Sequence, residues 1–323
     1  VTFPLTTPRS DLAKLRVMLI DDSAVVRGLT KRWVTAEADF DLVAVAVDGE
    51  DGVKQAPGAD PDVIILDVEM PHMDGLTALP LLRKSVPRAR IIMASTLTRR
   101  GAETTMRALA RGAADYIAKP EAGQLGGAET YRIDLVEKVR VLGQAAARSA
   151  RASLSPSRPT PNGASAVAPP HAPAAMRGGP PAPQASAARP ALTGAPIVLR
   201  PALANARKPD VLVVASSTGG PQALQQFLAP IAGKISQPIL IVQHMPATFT
   251  AILAEHLQQA LKIPCAEARH DEPVLGGRIY IAPGDWHMRI VRRGVTNHIA
   301  LDQGPQVNYC RPAADPLFET ASS

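Results

Sequence analysis

The stretch VLVVASSTGGPQAL, Val211–Leu224, runs five apolar residues into two serines, a threonine and two glycines before a helix-like pattern resumes. An unbroken apolar run of that length reads as a strand buried on both faces, and the run that follows the glycines as a helix. A strand, a tight turn and a helix in succession form the repeating unit of an α/β sheet. The turn itself has three readings: a nucleophile on a sharp bend, a phosphate cradle, or a plain connection. It places Ser216 or Ser217 at a helix N-terminus, where the backbone N–H groups of Thr218, Gly219 and Gly220 lack intrahelical acceptors and suit negative charge. The sequence contains no G-x-x-x-x-G-K-[ST] and no G-x-G-x-x-G, which weakens the cradle. A nucleophile needs a base and an orienting acid. His244 closes the next apolar run, ILIVQHMP, and so falls at the same sheet edge as the serines, while Asp285 in APGDWHM and Asp315 in RPAADPLF are the candidate acids.

Working outward, the N-terminal half repeats the pattern. VMLI (17–20), LVAVAV (42–47), VIIL (63–66), IIMA (91–94) and DYIA (115–118) alternate with helix-like stretches. This predicts a five-stranded, doubly wound parallel sheet. The C-terminal half opens in the same way, but RIYIAPG (278–284), HMRIVRRG (287–294) and TNHIALD (296–302) are spaced like antiparallel strands. A mixed α/β domain is expected there.

The two halves are separated by residues 151–209, which hold 13 of the 31 prolines and neither an acidic nor an aromatic residue. Such a composition buries too little apolar surface to offset chain entropy, so a linker is expected. The predicted layout is a tail (1–14), an N-terminal domain (15–150), the linker (151–209) and a C-terminal domain (210–323). The net charge of +6 does not mark a nucleic-acid surface. Seven of the 35 Lys and Arg residues fall in the linker, leaving 28 against 29 Asp and Glu elsewhere. Two cysteines argue against a disulfide-stapled secreted fold. Neither a signal pattern nor an apolar run near the ~20 residues of a membrane span is present, so a soluble cytoplasmic protein is expected.

In an open parallel sheet, ligands bind at the carboxyl edge. The N-terminal runs deliver Asp21, Asp22, Asp67, Ser95 and Lys119 to that edge. Three gathered carboxylates repel one another unless a hard divalent cation neutralises them, and Mg²⁺ is the natural candidate. With a lysine and a hydroxyl to hold phosphoryl oxygens, the set suits formation of an aspartyl phosphate.

LIDDS (19–23), ILDVEMPHMDG (65–75) and YIAKP (116–120) closely resemble the receiver domains of two-component response regulators. The resemblance implies Asp67 as phospho-acceptor, and Asp22 and Asp67 as metal ligands supported by Asp21. It also implies the Glu69 carbonyl as a further ligand, Lys119 as the phosphate partner, and Ser95 with Tyr116 as a switch pair. ASSTGGPQAL (215–224), VQHMPATFT (242–250), IYIAPGDWHM (279–288) and NYCRPAADPLF (308–318) are similar to the catalytic domain of chemotaxis protein-glutamate methylesterases. That similarity implies Ser217 as nucleophile, His244 as general base, Asp315 as orienting carboxylate, Asp285 and His287 as pocket-shaping residues, and Ser216 as a packing or turn residue. It further implies methyl-accepting chemoreceptors as substrates, glutamine deamidation as a second activity, a sensory histidine kinase as phosphodonor, and an ester hydrolysis that needs no cofactor. Neither nucleic-acid binding nor membrane insertion is expected. Family members continue past the PLF segment into a Gly-rich loop, so a chain ending at Ser323 is expected to carry an incomplete catalytic domain. The rival reading is a phosphorylation-dependent binding module with a catalytically dead C-terminal half.

Overall fold

The computed structural model describes residues 14–119, 127–154 and 208–322. Strands β1 (Leu15–Ile20), β2 (Phe40–Ala46), β3 (Val63–Asp67), β4 (Arg90–Ser95) and β5 (Asp115–Ala118) form one parallel sheet in the order β2-β1-β3-β4-β5. Each apolar run read from the sequence lies within one of these strands or overlaps most of it. The central strand β3 is buried along its whole length, and β4 at every position but Arg90, because helices cover both faces. Those helices are α1 (Ala24–Ala36), α2 (Gly49–Ala59), α3 (Gly75–Ser85), α4 (Arg99–Ala110) and α5 (Gly127–Leu154). Ser23, Asp48, Asp74 and Thr98 cap the first four by accepting first-turn N–H groups. Helix α5 continues to Leu154, four residues into the expected linker; the rest of that linker and the tail up to residue 13 lie outside the described residues.

The C-terminal half holds a second parallel sheet, of β6 (Leu212–Ser216), β7 (Ile239–Gln243), β8 (Cys265–Glu267) and β9 (Ile279–Ile281), in the order β6-β7-β9-β8. Helices α6 (Gly220–Leu228) and α7 (Ala247–Leu261) accompany it. Strands β10 (His287–Arg293) and β11 (Thr296–Asp302) form an antiparallel hairpin, and α8 (Ala314–Ala321) packs on β10. This corrects one expectation. The RIYIAPG segment was expected to be antiparallel, yet its strand β9 pairs parallel with both β7 and β8. The cause is visible in burial: β9 is buried at every position, as an interior parallel strand must be, whereas β10 grows exposed toward its end.

Both sheets belong to one compact unit, Val1–Ser155 with Pro209–Ser323. Within it α4 packs on α7, and one apolar cluster runs from Ile64 and Leu66 through Met106, Leu109 and Tyr116 to Phe249, Leu253 and Leu257. The N-terminal domain thereby meets the C-terminal domain through α4, which packs on α6 and α7, and β5, which packs on α6. Among the described residues no helix is long and apolar enough to cross a membrane.

Candidate functional site

The serine turn is built by two neighbouring strands. β6 and β7 run parallel with Ser216 opposite Gln243, and the His244 N–H donates to the Ser216 carbonyl at 3.1 Å. Ser217 and His244 are therefore the first residues past a paired position on adjacent strands, both exposed at one edge. Gln243 is almost fully buried and locks the turn. Its Oε1 accepts from the Ser216 hydroxyl at 2.6 Å, and its Nε2 donates to the Ser217 carbonyl at 3.1 Å and the His244 carbonyl at 3.3 Å. Ser216 is thus consumed by the scaffold, and the Ser217 hydroxyl has no hydrogen-bond partner among the described residues. Gly219 precedes α6 with φ 74°, a left-handed conformation that favours glycine. A Cβ at Gly220 would strike Gln243 Oε1 and the Ser216 side chain, so the close approach also requires its glycine.

The three turn amides differ in their availability. The Gly220 N–H donates to the Ser217 carbonyl at 2.8 Å, so it is not free, contrary to the expectation that all three would be. The Gly219 N–H donates to Oδ2 of Asp115, a residue of the N-terminal domain, at 3.0 Å. The Thr218 N–H meets no acceptor among the described residues. Burial pushes the His244 imidazole below its ordinary range even though part of the ring stays exposed. Lys138 on α5 pushes the same way and Glu137 opposes it. A neutral imidazole at this position can accept a proton from a neighbouring hydroxyl.

At the carboxyl edge of the N-terminal sheet, carboxylate oxygens of Asp21, Asp22 and Asp67 lie within 4.8 Å of one another. Asp21 and Asp67 are buried, and Lys119 Nζ sits 2.8 Å from each. Burial raises the Asp67 carboxyl to about 6 against the opposing pull of Lys119. Burial would lower Lys119, but the Asp67 and Asp21 carboxylates outweigh it and leave the ammonium raised. A cluster of hard oxygen donors, two of them buried, fits a small divalent cation. Asp67 Oδ1 also accepts the Glu69 N–H at 3.4 Å. Ser95 is buried at the end of β4, its hydroxyl turned to the Thr96 carbonyl at 3.3 Å. Tyr116 is buried in the apolar cluster, stacked on Phe249 at 4.6 Å between centroids and 13° between planes.

Residues 212–323 match the family model described as CheB methylesterase, and residues 17–126 the one described as response regulator receiver domain. A protein-glutamate methylesterase/protein-glutamine glutaminase of Maricaulis maris is 47% identical over 99% of this chain and 80% of its own length. A second, from Caulobacter vibrioides, is 48% identical over 95% of this chain and 78% of its own. A third, of a group 2 operon in Bradyrhizobium diazoefficiens, is 48% identical over 95% and 75%. The chain belongs to this family.

Three further residues assigned through the family resemblance make hydrogen bonds of their own. Asp315 lies exposed in the first turn of α8, where its Oδ2 accepts from Asn308 Nδ2 at 2.9 Å. No hydrogen bond or ion pair joins Asp315 to His244 among the described residues. Asp285 pairs instead with Arg311, Oδ1 to Nη2 at 2.6 Å. His287 is buried, with Nε2 facing the Pro305 carbonyl at 3.0 Å and Nδ1 accepting the Ala313 N–H at 3.3 Å. That pairing assigns it the neutral Nε2–H form and a role in fixing the start of α8. Gln243 and Asp115 were missed by sequence reasoning. Gln243 carried one legible signal, a lone amide ending a fully apolar strand; Asp115 carried none, since its partner is more than a hundred residues away.

Proposed function

We propose that the protein hydrolyses glutamate methyl esters on chemoreceptors under control of Asp67 phosphorylation. The observation that supports this reading is that Ser217 and His244 directly follow the paired residues Ser216 and Gln243 on adjacent parallel strands, with α6 beginning just beyond Ser217. Ser217 Oγ attacks the ester carbonyl while His244 takes its proton, and the developing oxyanion is received by the Thr218 and Gly219 N–H groups. Each such donor is worth about 3 kcal/mol in the transition state. Collapse of the intermediate expels methanol, protonated by His244, and water then releases the acyl group by the same path in reverse. A glutamine side-chain amide offers the same tetrahedral route with ammonia as leaving group. Because Asp315 is engaged by Asn308, the Ser217–His244 pair carries the proposal without it.

In the receiver half, Asp21, Asp22, Asp67 and the Glu69 carbonyl would hold Mg²⁺, which when bound offsets phosphoryl charge. Asp67 accepts the phosphoryl group from a histidine kinase, and Lys119 pairs with its oxygens. The receiver half touches the serine turn through the Asp115–Gly219 hydrogen bond and the packing of β5 on α6, while Ser217 and His244 stay exposed at that edge. Phosphorylation weakens that contact and shifts the population toward separated forms.

Methanol release from methylated chemoreceptor tests this reading. Wild type should release methanol faster with a small-molecule phosphodonor, Asp67→Asn should lose that stimulation, and Ser217→Ala should release none. Methanol release undiminished in Ser217→Ala refutes it. Receptor binding with no release in any form supports the binding-module alternative.

A further inference from the structure

Asp115 is a carboxylate with 1% of its surface exposed, at the start of the last strand of the receiver sheet. Every hydrogen bond it accepts is charged or from the main chain. Oδ1 takes the Tyr116 N–H at 2.8 Å, while Oδ2 takes Lys138 Nζ at 3.1 Å and the Gly219 N–H at 3.0 Å. The last of these bonds crosses from the receiver half to the serine turn. Gly219 has no side chain with which to cap α6, and the first turn of that helix contains no acidic residue. Among the described residues the only carboxylate hydrogen-bonded to this turn therefore belongs to the other domain.

The chemistry of the proposed reaction gives this contact a meaning, and the inference rests on that reading. Ester hydrolysis at Ser217 passes through an oxyanion and ends in a side-chain carboxylate. Both want the amide two residues beyond the nucleophile, which Asp115 already holds. We propose that Asp115 is a tethered mimic of the product, occupying the carboxyl-oxygen position of the serine site until the receiver withdraws. The contact is then more than steric. The receiver removes an oxyanion donor and carries Lys138 with it, and Lys138 neutralises the Asp115 charge in the buried contact.

Strand β5 links this contact to the phosphorylation site. Asp115 begins the strand, and Lys119, the residue just past its end, binds Asp67 at 2.8 Å. Tyr116, next to Asp115, is stacked on Phe249 of α7. A shift of β5 that follows Lys119 toward a phosphoryl group on Asp67 therefore pulls on both interdomain contacts at once. Product mimicry also implies competition: a free glutamate-type carboxylate and Asp115 exclude each other at Gly219.

The test uses the whole protein labelled with ¹⁵N-glycine, as wild type, Asp115→Ala and Asp115→Asn, titrated with the α-amide of N-acetylglutamate, whose one charge is the side-chain carboxylate, and, as the uncharged control, with the α-amide of N-acetylglutamine. The Gly219 amide resonance should move with the glutamate compound in Asp115→Ala, stay fixed in wild type, and ignore the glutamine compound. Basal ester hydrolysis should rise about tenfold in Asp115→Ala, the loss expected for one charged hydrogen bond. If Asp115→Ala does not fold, Asp115→Asn, which keeps the shape and loses the charge, should show the same responses in weaker form. A Gly219 resonance that is unmoved in both variants, or that moves equally in wild type, overturns the proposal. Hydrolysis that depends on Ser217 alongside an unmoved amide removes the mimic alone. An amide that responds as expected with no hydrolysis in any form removes the esterase reading and leaves the carboxylate contact standing.

Discussion

The ring of Tyr116 lies parallel to that of Phe249, 4.6 Å away, and both are buried in the same apolar cluster. One belongs to the strand that ends beside the phospho-acceptor, the other to the helix that follows His244. A stacked pair contributes roughly 0.5–1.5 kcal/mol beyond the area it buries. Replacing Tyr116 with Leu keeps most of the burial and removes the stack. Basal hydrolysis should rise about threefold, and the added stimulation by a phosphodonor should shrink by a similar factor. Steady-state assays with and without phosphodonor measure both.

The lowered imidazole of His244 makes the docked arrangement sensitive to pH. Its causes are burial and the charge of Lys138, and Lys138 comes from the receiver domain. Undocked, the ring returns toward its ordinary value of 6.5 and binds a proton more readily than when docked. Acid therefore favours undocking: the contact has its full strength above about pH 6.5 and weakens as pH falls through that value. Interdomain fluorescence transfer across a titration from pH 8 to 5.5 should show separation growing toward the acid end. His244→Gln should flatten that part of the response.

Gln243 satisfies three polar groups of the serine turn at once. Gln243→Leu preserves approximate volume and leaves a hydroxyl and two carbonyls without that partner. A cost of about 1–3 kcal/mol in unfolding free energy is expected. Because the lost bonds position Ser217 and His244 without touching substrate, kcat should fall much more than KM changes. Urea denaturation and steady-state kinetics check the two parts separately.

Asp315 offers a sharp contrast with Ser217. Among the described residues its one side-chain partner is Asn308, exposed in the 307–310 turn. Asp315→Asn should cost about 1 kcal/mol of stability or less and leave the rate of hydrolysis within about threefold of wild type. Ser217→Ala should cut that rate by about 10⁴ or more. A loss in Asp315→Asn as deep as that in Ser217→Ala would place this carboxylate in the catalytic machinery after all.

These residues also mark what the sequence made legible. The strands of the N-terminal sheet, with β6 and β7, were readable as continuous apolar runs, and the residues at their ends include Asp67, Lys119, Ser217 and His244; β8, the three residues CAE, carries no such run and went unread, and β6 is half-buried with Ala215 exposed where burial on both faces was expected. The direction of β9 was not readable, since three apolar residues fit either pairing and only the neighbours decide. Gln243 required the register of β6 on β7, which periodicity does not supply. The partner of Asp115 required the docking of two domains whose sequence separation exceeds a hundred residues. The role of Asp315 is implied by a motif, and the partner its carboxylate has here, Asn308, was not readable from that motif.

The central claim is that the hydroxyl of Ser217 is the nucleophile, next to an interdomain contact that phosphorylation of Asp67 loosens. Labelling with a serine-directed fluorophosphonate, followed by intact mass and peptide mapping, measures this directly. A single adduct on Ser217, formed faster after treatment with a phosphodonor and at an unchanged rate in Asp67→Asn, is the predicted result. An adduct on Ser216, or labelling that persists in Ser217→Ala, would contradict the account.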